Sequence, residues 1–490
     1  MTYLALFSWP VVVMMLFRRF GPAMAVAVAI VGGYLLLPTE VEIRLPFVPD
    51  INKDTVAAVP ALLMAMALFG AQAYQRQNDG QAGPLGLPGW LPRNGIINLL
   101  ILMVLVGIIM TMLTNRDPIS YGPTRLRGGS IFDGLSALLK MMVAIVPFLL
   151  ARKFLARSQD HFRLLVVLCI SGLLYSLLAL YEVRMSPQLN KAVYGFFPHD
   201  WSQHKRGGGW RPIVFLHHGL WLGIFLACAT LACAAMVRLV PQEWRMRAVL
   251  SLGWMFMALF LAKTLGAFMI VLILLPVVFL SARVQMLCAA GLCGAILLYP
   301  MLRAGGLTPS NQVLNVAAMV DCERALSFQT RITHEDKLLD KAAKRPLFGW
   351  GGWSRARIYD ERGRDQSVTD GYWILILGES GWTGYIGLFG LLTIPTVILA
   401  MRQKAYEVTM ATSALCLVLT ANLIDLIPNA TFTPLTWLIA GALAGRLELG
   451  AQDSRSSAQA PVAAGPARPS YTRFTPTKGR PDFAGGLRHD

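Results

Sequence analysis

The sequence is poor in charged residues. Only 14% of its 490 residues are Asp, Glu, Lys or Arg, whereas 55% are hydrophobic. A soluble domain carries about 25% charged residues, so this composition excludes a soluble globular protein of such length. We therefore expect an all-α, polytopic membrane protein.

Cysteine is scarce wherever the chain is polar. Six of the seven cysteines lie inside apolar runs: Cys169, Cys228, Cys233, Cys288, Cys293 and Cys416. A single loop thiol, Cys322, cannot build a disulfide framework, and no CxxC or His/Cys spacing suggests zinc. We expect no structural disulfides, no metal site and no cofactor.

Acidic residues are too few to balance the basic ones. The chain has 44 Lys and Arg against 27 Asp and Glu, a formal net charge of +17. Such an excess can serve nucleic acid, anionic lipid or an anionic substrate, and a membrane protein favours the last two. Basic residues that topology does not require are tolerated where an anion is bound. The alternative is that they pair with nearby acidic residues.

Long apolar runs dominate the chain. A membrane span needs roughly 20 apolar residues to cross about 30 Å of hydrocarbon. Twelve to thirteen such runs are predicted, near 3–17, 21–37, 56–74, 96–114, 132–151, 164–181, 212–237, 248–262, 265–281, 285–301, 372–400, 408–427 and 434–446.

The distribution of Lys and Arg predicts the orientation of these spans. Basic residues in the short connections place the Arg18–Arg19 turn and the tail in the cytoplasm, so the long loop faces the opposite side of the membrane. Helical spacing of apolar residues within that loop predicts helices near the membrane surface. The predicted segments are N-terminal helices 1–160, core helices 161–301, an outward loop 302–371, C-terminal helices 372–447 and a disordered tail 448–490.

The end of the long loop is rich in Gly and Trp. In RPLFGWGGW, Pro346 ends a helix and the glycines allow tight turns. Trp350 and Trp353 can lie in the membrane interface or stack on a sugar, and the sequence does not choose between these roles.

Two carboxylates border the next predicted span. Asp370 precedes GYWILILGESGW, where it can cap the helix or act on a substrate. Glu379 lies inside the apolar run, and a carboxylate at such a position indicates function by default.

A basic segment, KRGGGWRPIVFLHHGLW, lies before another span. It holds Arg206 and Arg211, and the guanidinium group is suited to binding phosphate oxygens. His217 and His218 follow at the start of the span. They can act on a bound substrate, or they can be polar groups whose hydrogen bonds are satisfied within the helix bundle. Lys263, in the tight turn KTLGAF, can bind an anion or extend to the interface.

These elements, in this order, resemble the O-antigen ligase and O-antigen polymerase superfamily of bacterial membrane glycosyltransferases, over roughly residues 160–445. The matching elements are RPIVFLHHG, KTLGAF, Arg331, PLFGWGG and DGYWILILGESGWTG. The resemblance implies a GT-C-like membrane fold that transfers a glycan from undecaprenyl pyrophosphate to an acceptor hydroxyl in the periplasm, without a metal. It also implies that residues 302–371 are the periplasmic active-site loop. Asp370 stands where the ligases have His, which favours a polymerase. The arginine of the family's T-L-S-R-G turn is missing here, which leaves the phosphate-binding cations open.

The resemblance also implies roles for individual residues. Arg211 and Arg331 would neutralise the pyrophosphate, and Asp370 or else His218 would be the base. The substrate-binding candidates are Lys263, His217, Glu379, Arg206, Trp350 and Trp353. Partners would be the lipid-linked oligosaccharide and membrane lipids, with chain-length regulator and export proteins as further candidates and no nucleic acid. A ligase acting on lipid A core or protein, and a lipid-linked oligosaccharide flippase, are the alternatives; the absence of an internal repeat weighs against a transporter.

Overall fold

The computed structural model describes residues 1–44, 49–79, 86–206, 208–307, 322–352, 354–367 and 369–450. For 69–79, 206, 322–325, 327 and 328 it describes the backbone alone. The predicted disordered tail therefore lies outside the described residues from 451 onwards, and so does Trp353.

The described chain is mostly helical. The α-helices are α1 Thr2–Arg19, α2 Pro22–Leu36, α3 Lys53–Asp79, α4 Gly95–Thr114, α5 Ile131–Ala144, α6 Val146–Phe154, α7 Ser158–Met185, α8 Leu189–Tyr194, α9 Gly219–Leu239, α10 Gln242–Leu261, α11 Leu265–Val278, α12 Ala282–Ala304, α13 Cys322–Ala343, α14 Tyr372–Met401, α15 Met410–Asp425 and α16 Pro434–Leu449. Two small antiparallel hairpins pair β1 Ile119–Tyr121 with β2 Thr124–Leu126 and β3 Lys205–Arg206 with β4 Gly209–Trp210.

Every apolar run predicted as a span coincides with helix, but not every helix has the length of a span. Within the described residues, seven helical segments are long and apolar enough to cross a membrane: Gly95–Thr114, Ile131–Phe154, Ser158–Met185, Gly219–Leu239, Gln242–Leu261, Ala282–Ala304 and Tyr372–Met401. Helices α2, α11 and α15 have 15, 14 and 16 residues. They reach only about 21–24 Å at about 1.5 Å per residue. The protein is a multi-pass membrane protein, and length and composition support fewer spans than the twelve to thirteen predicted.

The predicted span 212–237 starts later than the apolar run does. Helix α9 begins at Gly219, because His218 is its N-cap and accepts the Leu220 amide. Pro212 has no amide hydrogen, and the chain from Ile213 to His218 forms turns instead of helix. This non-helical entry sets Arg211 and His218 at the end of a helix rather than inside it.

The described residues belong to one compact unit, in which α9 is the most enclosed of the seven span-length segments. It packs against α7, α10, α11 and α15, and more than half of its buried positions are Gly, Ala or Cys. Small side chains allow helices to approach closely where no hydrophobic force drives them together. Helix α14 packs between α4 and α12, which places the end of the long loop against α4.

Candidate functional site

Helix α14 is interrupted at Gly381, whose φ of 62° and ψ of −166° are not helical. The break leaves peptide groups without partners in the helix, and residues 346–352 supply them. We call these residues, PLFGWGG, the docked segment. Backbone hydrogen bonds run from Trp350 to Gly378, from Gly351 to Glu379, from Trp382 to Pro346 and from Thr383 to Leu347, with N···O distances of 2.7–3.1 Å. The glycine-rich motif is thus a backbone partner for a broken helix.

Two glycines allow the backbones to approach this closely. A Cβ on Gly349, which has a φ of 67°, would lie 2.5 Å from the carbonyl carbon and oxygen of Glu379. A Cβ on Gly381 would lie 2.5 Å from the carbonyl carbon of Leu347. No side chain fits at either position, so the two motifs predicted from the sequence form one structural unit.

Helix α4 anchors the docked segment from the other side. Thr111 Oγ1 donates to the carbonyl of Phe348 at 2.6 Å, and Asn115 Nδ2 donates to that of Gly349 at 3.0 Å. Arg345 donates to Asn115 Oδ1 at 2.5 Å. Thr111 and Asn115 were not predicted from the sequence. They are far from the docked segment along the chain, and only the folded structure brings them into contact with it.

Arg355 is the most buried cation among the described residues of the loop. Its side chain is 2% exposed and donates to the carbonyls of Trp350, Asp117 and Arg127 at 2.8–3.1 Å. The only sequence signal would have been its place after the Gly-Trp motif, which does not separate it from Arg357. Arg355 holds the chain after the docked segment against the α4–α5 connection.

Arg331 and Asp370, both predicted as catalytic residues, form an ion pair. Arg331 lies on α13, and Asp370 lies just before the N-cap of α14. The distance from Nε to Oδ2 is 2.8 Å, and the side chains are 41% and 36% exposed. The N-cap of α14 is Gly371, with no side-chain cap bond, so the capping role for Asp370 is wrong.

Trp350 packs inside the loop. Its Nε1 donates to the carbonyl of Lys341 at 2.8 Å, and the Arg345 guanidinium lies 4.4 Å from its ring centroid. Burial, with help from Lys344 and Arg355, lowers the pKa of Lys341 to about 8. Because Trp350 contacts Lys341 and Arg345, its ring stabilises the docked segment. Substrate binding by Trp350 stays a prediction.

Glu379 lies at the break of α14. Its carbonyl accepts the Gly351 amide, so this residue contacts the docked segment through its backbone. A role for its carboxylate in binding substrate stays a prediction.

A second group of predicted residues gathers at the start of α9. The Arg211 side chain is 5% exposed and packs on Gly219, and its backbone amide donates to the carbonyl of His204 at 2.8 Å. His218 is 8% exposed, and its Nδ1 accepts the Leu220 amide at 3.2 Å. Burial, reinforced by Arg211, lowers the pKa of His218 to about 3, so that the imidazole is neutral at physiological pH.

His218 belongs to a set of three histidines that the sequence analysis did not recognise. One nitrogen from each of His199, His204 and His218 lies within 4.8 Å of the others. We call these residues the histidine cluster. Positions 199 and 204 belong to a loop and 218 to a helix cap, so no motif spacing marks them as a group. Their arrangement can hold a metal ion, which the sequence did not predict.

The remaining predicted residues surround this group. Lys263 has a left-handed φ of 55° in the α10–α11 turn, and its ammonium group lies against Gly209 of β4. His217 Nδ1 pairs with Glu40 at 2.8 Å. Arg206 is in β3, but its side chain lies outside the described residues. The structure therefore brings Lys263 to the hairpin and directs His217 to a different partner.

One turn connects the two groups of predicted residues. Arg211 acts electrostatically on Asp425, the last residue of α15. Leu426, the next residue, accepts the amide of Tyr372 at 3.0 Å. The Phe432 ring stacks on Tyr372 with centroids 4.9 Å apart and planes at 5°. The 425–432 turn thus lies between Arg211 and the start of α14, where Asp370 is located.

Comparisons with protein-family models, with curated proteins and with solved structures find no match to this chain.

Proposed function

We propose that the protein is a polysaccharide polymerase of the bacterial inner membrane. It transfers a glycan from undecaprenyl pyrophosphate to a sugar hydroxyl at the periplasmic face. The observation that carries the proposal is the Arg331–Asp370 ion pair at the start of α14, the helix that also binds the docked segment. A cation and a carboxylate at one place meet the two needs of this transfer, charge neutralisation and proton removal.

In the proposed step, the acceptor hydroxyl oxygen attacks the anomeric carbon of the donor. The bond from that carbon to the pyrophosphate oxygen breaks, and undecaprenyl pyrophosphate leaves with the electron pair. Asp370 takes the hydroxyl proton. Arg331 and Arg211 stabilise the charge that develops on the pyrophosphate, and Lys263 lies at the rim of the Arg211 group to assist.

The weakness of the ion pair would allow Arg331 to exchange Asp370 for a phosphate of the donor. An exposed pair of this kind is worth only about 0–1 kcal/mol, so Arg331 can transfer from Asp370 to a phosphate at small cost. Once Arg331 binds the donor, Asp370 Oδ2 is released to accept the proton. Donor binding would in this way prepare the base, and His218 remains the second candidate for that role.

The apolar helices would hold the polyprenyl chain, while the polar groups act at their ends. Seven segments are long and apolar enough to span a membrane, which provides such a surface. Arginines suit the pyrophosphate because their planar donors match phosphate oxygens in pairs. The proposed chemistry needs no metal ion at the reacting bond.

The ligase and flippase alternatives predict different lipid-linked products after deletion of the gene. Loss of a polymerase leaves single repeat units on the lipid at the periplasmic face. Loss of a flippase leaves them at the cytoplasmic face. Loss of a ligase leaves long polymers on the lipid, so chain length and side together identify the class.

Arg331→Ala tests the role of the Arg331–Asp370 ion pair directly. Removal of one positioned donor from an anion typically costs about 100- to 1,000-fold in rate, and polymer should fall accordingly. Arg364→Ala is the matched control, because Arg364 forms an exposed pair with Asp360 at 2.9 Å in the same loop. Both variants should reach the membrane at wild-type levels. Normal polymer length from Arg331→Ala would refute the assignment.

A further inference from the structure

The geometry points to a transition-metal site at the histidine cluster, and we propose that His199, His204 and His218 bind one divalent ion such as Zn²⁺. Imidazole nitrogen is a preferred ligand of zinc, copper and nickel. The inference does not depend on glycosyl transfer, because it concerns how a loop is held against the start of α9.

The ring positions agree with those that a tetrahedral ion imposes. With Zn–N bonds of about 2.0–2.1 Å, imidazole centroids lie about 3.2 Å from the ion and about 5.2 Å from one another. The observed separations are 4.6 Å for His199–His218, 5.1 Å for His204–His218 and 5.8 Å for His199–His204. The ring planes are inclined by 56–80°, so the rings do not stack on one another.

The nitrogens must move closer together to bind one ion. They lie within 4.8 Å of one another, whereas two nitrogens bound to one zinc are about 3.3 Å apart. His204 is fully buried and His218 nearly so; to bind the ion through Nε2, His218 carries its proton on Nδ1 and gives up the bond from the Leu220 amide. His199 is only partly buried and can close over an ion that enters from solution.

The site would join two separate elements of the chain. His199 precedes the short helical turn Trp201–His204, His204 is the last residue of that turn, and His218 caps α9. Three protein ligands leave the fourth position for an exchangeable ligand, as in other three-histidine sites. The ion would fix the loop before β3 to the start of α9, next to Arg211.

The charges beside the histidine cluster predict whether a substitution raises or lowers its metal affinity. The positive charge of Arg211 acts on His218 and opposes a cation, whereas the negative charge of Asp200 acts on His199 and His204 and favours one. Arg211→Ala should therefore tighten metal binding by about three- to tenfold, by removal of like-charge repulsion. A cluster that binds anions instead would lose affinity in this variant.

The experiment uses full-length protein purified in detergent with a tag that contains no histidine. After treatment with a chelator, the protein is titrated with Zn²⁺ by calorimetry and with Co²⁺ by absorption spectroscopy. We expect one ion per chain and the visible bands of tetrahedral Co²⁺. His199→Ala and His204→Ala should each lower affinity at least about 100-fold, since one of three ligands is lost.

His217→Ala is the matched control, because His217 adjoins the cluster but pairs with Glu40. This variant should bind Zn²⁺ as the wild type does. His199→Ala removes the least buried ligand, so loss of binding with an unchanged thermal midpoint in the metal-free protein cannot come from misfolding. Equal Zn²⁺ binding by the wild type and His199→Ala, or weaker binding by Arg211→Ala, would overturn the inference.

Discussion

Replacement of Gly349 by alanine should release the docked segment from the break in α14. Gly349 has a φ of 67°, and a new Cβ would lie 2.5 Å from the Glu379 carbonyl group. Those atoms belong to the backbone of a packed helix and cannot move aside. We therefore expect the segment itself to move away, with the helical core of the membrane domain left intact.

The magnitude follows from the contacts that are lost. Four backbone hydrogen bonds join the docked segment to α14. At about 1 kcal/mol each they contribute about 4 kcal/mol. The left-handed conformation costs alanine a further 1–2 kcal/mol, roughly. Because the new Cβ overlaps the Glu379 carbonyl group, the docked state cannot keep these bonds. The combined loss of about 5–6 kcal/mol is enough to open the segment in most molecules.

Limited proteolysis with trypsin measures this opening, because Lys344 and Arg355 flank the docked segment and neither is followed by proline. Cleavage there should become rapid in Gly349→Ala and in Gly381→Ala, and tryptophan fluorescence should report the release of Trp350. Gly352→Ala is the matched control, since a Cβ at Gly352 meets nothing within 4 Å. Equal cleavage rates for Gly349→Ala and Gly352→Ala would refute the reasoning.

Three further predictions concern the base, the orientation and the loop. Asp370→Asn should fold and bind the lipid-linked donor but lengthen it orders of magnitude more slowly; near-normal product ladders on a gel would exclude Asp370 as the base. In a Cys322→Ser background, Glu361→Cys should react with an impermeant thiol reagent in intact spheroplasts and Ala405→Cys should not, and reversed labelling would place the site in the cytoplasm. The lowered pKa of Lys341 means that the folded state binds this proton less tightly than the unfolded state, so the thermal midpoint should rise as pH increases from about 8 towards 10.5. Lys341→Met should remove that rise, and an unchanged pH profile in the variant would show that another group titrates.

The membrane class and the positions of the helices were predictable because they depend on local properties. An apolar run of span length can bury its peptide groups only as a helix, wherever its neighbours lie. For that reason the runs near 96–114 and 372–400 coincide with α4 and α14. The number of spans was harder to predict from the sequence, because helices too short to cross a membrane show the same apolar pattern as true spans.

The partners of the polar residues depended on contacts between distant parts of the chain. Arg331 and Asp370 were each predicted as functional, yet their pairing requires α13 to lie beside the start of α14. The Gly-Trp motif was expected to form a loop near the active site. Its use as the backbone partner of Gly378–Thr383 could not be predicted, since no propensity scale describes a helix break satisfied by a segment about thirty residues away.

The histidine cluster is the clearest case of contacts that the sequence alone does not predict. His217 and His218 are adjacent in the sequence and look equivalent there. The helix that begins at Gly219 directs His218 to His199 and His204, while His217 pairs with Glu40. Adjacent residues at the entry of a helix leave the backbone in different directions, so their partners are chosen by what packs on each side. Residue type thus made metal or anion chemistry possible, and only the packing of the 199–204 loop on α9 selected which imidazoles meet.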